Sequence, residues 1–219
     1  AGQYGIPILE DDPYSELSYE ARAMSPLKSM DQNGHVIYLS TFSKTISPGL
    51  RLGWMCASKK LISQLSGIRQ LTDLHSSCIS QQIVERFMNS GEMEHHLAFI
   101  RREYQERRDI MIEALNRYAP PGLSWNRPEG GYYLWCRLPE GVTASELTAK
   151  AAAGGVAVLP GVPACLSPQE GEGHIRLNYT YPPKDRIADG IGILCSLIRQ
   201  LSSAHKDEEA LTAEINPIL

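Results

Sequence analysis

Apolar and polar positions along the chain fall into short runs whose period changes from two to between three and four and back again. Runs rich in β-branched and aromatic residues, bounded by turn formers, predict strands at Ile6–Leu9, Val36–Ser40 and Leu52–Ala57. Between the first two, Pro13, Pro26 and Asn33-Gly34 break any longer pattern and predict loop or short helix. Lys59 to Ser66 and Ser80 to Phe87 read as helical. The segment from Glu92 to Tyr118 has no Gly or Pro, and its Leu97, Ile100, Tyr104, Met111, Leu115 and Tyr118 recur at three- and four-residue steps, which predicts the longest helix of the chain. Its Arg101, Arg102, Arg107 and Arg108 interleave with Glu103, Glu106, Asp109 and Glu113, the pattern of ion pairs four residues apart on a solvated face rather than of an anion site.

Pro120-Pro121-Gly122 stops that helix. Beyond it the pattern predicts strands at Tyr132–Leu138, Val156–Leu159 and His174–Thr180 and helices at Ala144–Ala153 and Lys184–Leu201, an alternation with apolar faces of its own and hence a second, smaller domain. From Ser202 the sequence is polar and charged until Ile215, a tail that is frayed or docked. No internal repeat or low-complexity tract occurs.

Composition narrows the function classes. A chain of 219 residues, 42% hydrophobic, can bury a core as one large domain or two small ones. A formal charge of −4 leaves no basic surplus for nucleic acid. The five cysteines, at 56, 78, 136, 165 and 195, form no CxxC pair and have no neighbouring His at metal-ligand spacing, so no metal site is expected and the thiols read as buried in a reducing compartment. No apolar run approaches the ~20 residues of a membrane span, and the start lacks the basic-then-apolar order of a signal peptide, so a cytoplasmic protein is expected. The opening Ala1-Gly2-Gln3-Tyr4-Gly5 runs at once into a strand and reads as the middle of a fold.

The chemistry concentrates in Ser40-Thr41-Phe42-Ser43-Lys44-Thr45-Ile46-Ser47-Pro48-Gly49-Leu50-Arg51-Leu52-Gly53-Trp54. Hydroxyls surround one lysine at the end of a strand, and an arginine stands before the next strand. Each hydroxyl can donate one hydrogen bond to a phosphate dianion and a guanidinium donates two in a planar fork. A lysine beside that phosphate can condense with an aldehyde on the same ligand. Taken alone, a polar loop with an exposed lysine explains the same residues. Upstream, Leu9-Glu10-Asp11-Asp12-Pro13-Tyr14 puts acids at the C-terminal end of a strand, where open α/β sheets place their ligands. Downstream, His174-Ile175-Arg176-Leu177-Asn178-Tyr179 sets one arginine among apolar neighbours, suited to a substrate carboxylate or to an internal salt bridge. Gly154-Gly155 and Gly161 read as turn glycines, and Trp125 and Trp135 as core or rim.

The segments EDDPY, STFSKTISPGLRLGW and HIRLNYT, with PEGGYYLW between them, resemble fold type I pyridoxal-phosphate-dependent aminotransferases of the aspartate aminotransferase superfamily (class I/II), closest to aminoadipate/kynurenine-type transaminases and MocR-type aminotransferase-like domains, over nearly the whole chain to about Leu201. The resemblance implies an α/β fold: the C-terminal part of a large cofactor-binding domain, three strands with helices, over 1–95, then a small α+β C-terminal domain over 96–205 joined by a long helix, and a tail over 206–219. It implies pyridoxal 5'-phosphate as cofactor, with Lys44 as the Schiff-base lysine that also moves the substrate α-proton. Asp11 matches the carboxylate on the pyridine nitrogen, with Asp12 facing away, and Tyr14 the hydroxyl on the phenolic oxygen. Thr41, Ser43 and Arg51 match the phosphate ligands and Arg176 the grip on the substrate α-carboxylate.

The same resemblance implies that the chain is the C-terminal half of such a protein. The first strands of the sheet, a glycine-rich phosphate turn, a ring stacked on the cofactor and an asparagine would lie before Ala1, and the sheet would show an unpaired edge. The implied function is exchange of an amino group between an amino acid and a 2-oxo acid, by a homodimer in the complete protein. The alternative is the effector domain of a MocR/GntR-type transcriptional regulator, and a third reading is an inert module.

Overall fold

The computed structural model describes residues 1–20 and 25–215, with side chains followed to His205. The chain forms two compact units: unit 1 comprises Ala1–Arg102 and Glu129–Gly131, and unit 2 comprises Glu103–Pro128 and the chain from Tyr132.

Unit 1 is built on strands β1 (Ile8–Asp11), β2 (Val36–Thr41) and β3 (Gly53–Cys56), in that spatial order. β1 and β2 are parallel, from Ile8 opposite Val36 to Asp11 opposite Leu39. β3 runs antiparallel to β2, from Tyr38 opposite Cys56 to Thr41 opposite Gly53. β1 starts two residues later than the apolar run predicts because Pro7 has no N–H to give a ladder; the first bond comes from Ile8 N–H to the His35 carbonyl, 2.9 Å. Gly53 lets β3 approach, since a Cβ there would lie 2.8 Å from the Ser40 carbonyl. Helices α1 (Lys59–Thr72), α2 (Cys78–Asn89) and α3 (Glu92–Tyr118) follow, the first two opened by the hydroxyl caps Ser58 and Ser77. α1 outruns the expected end at Ser66 because a lone Gly67 in a helix costs only about 1 kcal/mol. The core of unit 1 is small: Leu17, Val36, Tyr38, Val84, Leu97 and Ile100.

Unit 2 contains β4 (Ser124–Trp125), β5 (Tyr133–Arg137), helix α4 (Ala144–Ala153), β6 (Leu159–Pro160), α5 (Pro168–Glu172), β7 (His174–Asn178) and α6 (Lys184–Ile215). Its strands form an antiparallel sheet in the order β4-β5-β7-β6. Leu134, Cys136, Ile175 and Leu177 alternate into the core, joined by Leu147, Ile187, Leu194, Cys195 and Ile198. α6 has 32 residues and exceeds the 27 of α3, so the expectation that α3 is the longest helix fails. Between Ser202 and Ile215 there is no Gly or Pro to stop a helix, and polarity does not. Of the expected 206–219 tail, the backbone to Ile215 is helical and 216–219 lie outside the described residues.

Two further expectations need correction. Arg108 is fully buried rather than solvated, with its guanidinium on Asp109 and on the Pro128 carbonyl (2.8 Å). Four other charges of α3 also look beyond their own helix: Arg101 pairs with Glu16, Arg107 donates to the Thr180 and Pro182 carbonyls, and Glu103 and Glu106 both receive Lys184. The cysteines differ from one another, with Cys136 and Cys195 buried and Cys56 and Cys78 exposed. Burial pushes the Cys136 thiol up to about 12 and Cys195 to about 11. No helix among the described residues is long and apolar enough to cross a membrane.

Candidate functional site

Because β1 and β2 are parallel and in register, their C-terminal ends lie side by side, and the predicted site residues of unit 1 leave the sheet there. β2 ends at Thr41. The chain then closes a tight loop, in which Ile46 N–H and Ser47 N–H both donate to the Phe42 carbonyl (2.8 and 3.1 Å) and Phe42 N–H donates to the Leu52 carbonyl (3.1 Å). Lys44 sits inside this loop, half-buried, between Ser43 and the buried Thr45. The Thr41 hydroxyl accepts from Ser43 N–H at 3.1 Å and lies 3.0 Å from Ser43 Oγ, so two hydroxyls stand together, the nearer on the residue before the lysine.

Arg51 closes the segment. Ser47 caps a 3-10 turn over Pro48–Leu50, accepting from Gly49 N–H, and Arg51 follows it at φ 51°, ψ 41°, a left-handed conformation. An L side chain there costs about 1–2 kcal/mol, and glycine would relieve it. The exposed guanidinium donates to the Pro48 carbonyl at 3.1 Å.

The two acids at the end of β1 have opposite surroundings. Asp11 is exposed, and among the described residues its carboxylate has no hydrogen bond or ion pair. Asp12 is tied into the fold: its carboxylate accepts from the Tyr38 hydroxyl (2.7 Å) and Ser15 N–H (2.9 Å), while its carbonyl receives the Ser40 hydroxyl. Burial works against its ionisation, yet the bonds from Tyr38, Ser15 and Tyr14 outweigh burial and hold the carboxyl below its usual value. Tyr14 is half-buried at the head of the turn Ser15–Leu17. Against this turn run Gly130 and Gly131; a Cβ on Gly130 would lie 2.5 Å from the Leu17 carbonyl, and one on Gly131 3.9 Å from the Tyr14 ring. Gly131 also needs its φ of +79°.

A residue with no motif around it joins this site. His96 of α3 brings its Nε2 2.8 Å from the Thr45 carbonyl, across 51 positions of sequence, and its ring meets Phe87 edge-on at 5.6 Å. Nothing local in the sequence marks it.

Arg176 belongs to unit 2. It occupies the half-buried face of β7, opposite Trp135 on β5 and Leu159 on β6, with its guanidinium 4.2 Å over the Tyr133 ring. Beside it Trp135 stacks on His174 at 5.1 Å. Among the described residues no Asp or Glu pairs with Arg176, so the internal salt bridge is not formed.

The model of the family "Aminotransferase class I and II" matches residues 1–189. The chain is 40% identical over 200 residues to aromatic-amino-acid aminotransferase 1 of Thermococcus litoralis, covering 91% of this chain and 48% of that protein. It is 34% identical over 198 residues to an uncharacterized HTH-type transcriptional regulator, YdfD, of Bacillus subtilis, covering 90% and 40%. Among solved structures, an α-aminoadipate aminotransferase of Thermus thermophilus, complexed with N-(5'-phosphopyridoxyl)-L-leucine, superposes with a TM-score of 0.86 at 31% identity, over 93% of this chain and 52% of that one. The chain thus spans about half the length of the relatives it matches.

Proposed function

The chain belongs to the aminotransferase class I and II family, and from that premise we propose that it carries the cofactor-anchoring residues of a pyridoxal-5'-phosphate-dependent transaminase acting on an amino acid and a 2-oxo acid. The reading rests chiefly on the segment after β2, in which two paired hydroxyls and Lys44 follow the C-terminal end of a parallel strand and a strained arginine closes the turn. The donor set fits the cofactor: hydroxyls and guanidinium for a phosphate, an amine for an aldehyde, an uncommitted carboxylate for a ring nitrogen. The solved relative with a phosphopyridoxyl amino acid bound points the same way.

When bound, pyridoxal 5'-phosphate supplies a ring that takes up the electron pair left when the substrate α-hydrogen departs as a proton. The rest belongs to the protein. Thr41, Ser43 and Arg51 would hold the phosphate by charge-assisted bonds, and Arg51's left-handed backbone is the kind of local strain a binding residue carries. The Lys44 amine would anchor the cofactor at its aldehyde and would be the base that moves the substrate α-proton. Asp11 would keep the pyridine nitrogen protonated and Tyr14 would donate to the phenolic oxygen. Arg176 forks the substrate carboxylate, with the Tyr133 ring supporting its guanidinium.

Residues 1–95 serve in this reading as part of a large cofactor domain and 96–205 as a small one, in a cytoplasmic protein that is a homodimer when complete. The alternative is an effector domain of a transcriptional regulator, favoured by the 34% identity to YdfD. Borohydride reduction with pyridoxal 5'-phosphate, followed by peptide mapping, tests the anchor. A pyridoxyl group on Lys44 is expected, and labelling confined to other lysines overturns the assignment. Single-turnover conversion of an amino acid by the complete protein separates transaminase from regulator.

A further inference from the structure

The His96 side chain of α3 bonds the backbone of the lysine loop. The Thr45 carbonyl can only accept, so the proton of this 2.8 Å contact sits on His96 Nε2. Thr45 is buried, so its carbonyl has little recourse to water, and a buried carbonyl left without a donor is costly. The imidazole is held in turn by the edge of Phe87 from α2. The backbone bonds from Ile46 and Ser47 to Phe42 and from Phe42 to Leu52 all lie within residues 42–52. The His96 bond, by contrast, ties the peptide next to Lys44 to a helix far away in sequence.

We propose that His96 is a positioning residue for Lys44: by donating to the Thr45 carbonyl it fixes the loop backbone from which the lysine side chain projects, and so sets where the amine meets an aldehyde. The inference rests on Lys44 being the anchor. It assigns His96 no contact with cofactor or substrate and no proton transfer.

Three variants separate the bond from mere packing. His96→Gln can donate to the same carbonyl; His96→Phe keeps a ring against Phe87 and has no donor; His96→Ala has neither. In the full chain without added ligand, amide exchange at Phe42, Ile46 and Ser47 is measured. The Phe and Ala variants are expected to exchange faster by about five- to tenfold, the scale of one ordinary hydrogen bond, while β5 and β7 are unchanged. The Gln variant is expected to match the parent. Each protein is also treated with pyridoxal 5'-phosphate and borohydride, and the share of label on Lys44 is mapped. That share should fall in the Phe and Ala variants and recover in Gln. Parental behaviour of the Phe variant in both measurements overturns the inference and leaves the anchor standing; so does a Gln variant that folds, by circular dichroism, but fails to restore protection. Parent protein labelled elsewhere than Lys44 overturns the anchor, and the inference with it.

Discussion

At residue scale, neighbouring acids with unlike surroundings make a double dissociation available. Asp12→Asn strips the Tyr38 hydroxyl and Ser15 N–H of a charged acceptor, so it should cost about 1–3 kcal/mol of stability in chemical denaturation. Asp11→Asn removes no described contact and should leave that midpoint unchanged, and under the proposed function it should abolish amino transfer in the complete protein. Equal effects in either assay would overturn the assignment of the ring-nitrogen role to Asp11 rather than Asp12. A second pair isolates the backbone at Arg51. Arg51→Gly and Arg51→Ala both lose the guanidinium, but only glycine is at ease at φ 51°, so the Gly variant should be the more stable by about 1 kcal/mol. The types and spacing of these residues were visible in the sequence. The left-handed backbone was not, because it emerges from the Pro48–Leu50 turn, and neither was His96, whose partner lies on another element.

At the scale of elements, Asp31 anchors the connection into β2. Its carboxylate takes Lys28 Nζ at 2.9 Å and the N–H groups of His35 and Val36, and these bonds hold the carboxyl well below its ordinary value. A depressed carboxyl stabilises the fold above the unfolded-state value near 3.8 and loses that contribution as pH falls through the folded one. Asp31→Asn should therefore lower Tm at pH 7, and the gap from the parent should narrow progressively below about pH 4. A gap constant down to pH 2 would refute the linkage. Elements were legible where one period ran unbroken: α3 and α4 have the bounds their patterns predict. β4 and α5 went unseen, being a two-residue pairing and a five-residue helix, too short to display a period. Arg108 was misread for a related reason. Charge on a helix says nothing of which partner waits beside it, and here the Pro128 carbonyl and Asp109 make burial tolerable.

At the scale of the molecule, the core is unevenly shared. Among the described residues, the buried apolar side chains of unit 1 are the six named above, whereas unit 2 packs both its sheet and two long helices around fully buried residues such as Leu115, Leu134, Leu147 and Ile198. Denaturation followed by exchange should show unit 1 opening at lower denaturant than unit 2; a single coincident transition would contradict this. Thiol labelling at pH 8 should agree, with Cys56 and Cys78 reacting at once and Cys136 and Cys195 only when unit 2 unfolds.

Unit 1 is also discontinuous in the chain. Its Leu17–Tyr19 segment is completed by residues 129–131, through Tyr19 N–H on the Glu129 carbonyl, Gly131 N–H on the Leu17 carbonyl and the Tyr19 hydroxyl on Gly131. During synthesis those partners are made more than a hundred residues after Tyr19. The strand end bearing Asp11 and the loop bearing Lys44 must then wait, unfinished, until all of α3 has been translated and the two glycines have cleared the ribosome. A nascent chain arrested before Gly130 is expected to keep the turn after Tyr14 open to protease, and release past Gly131 to close it.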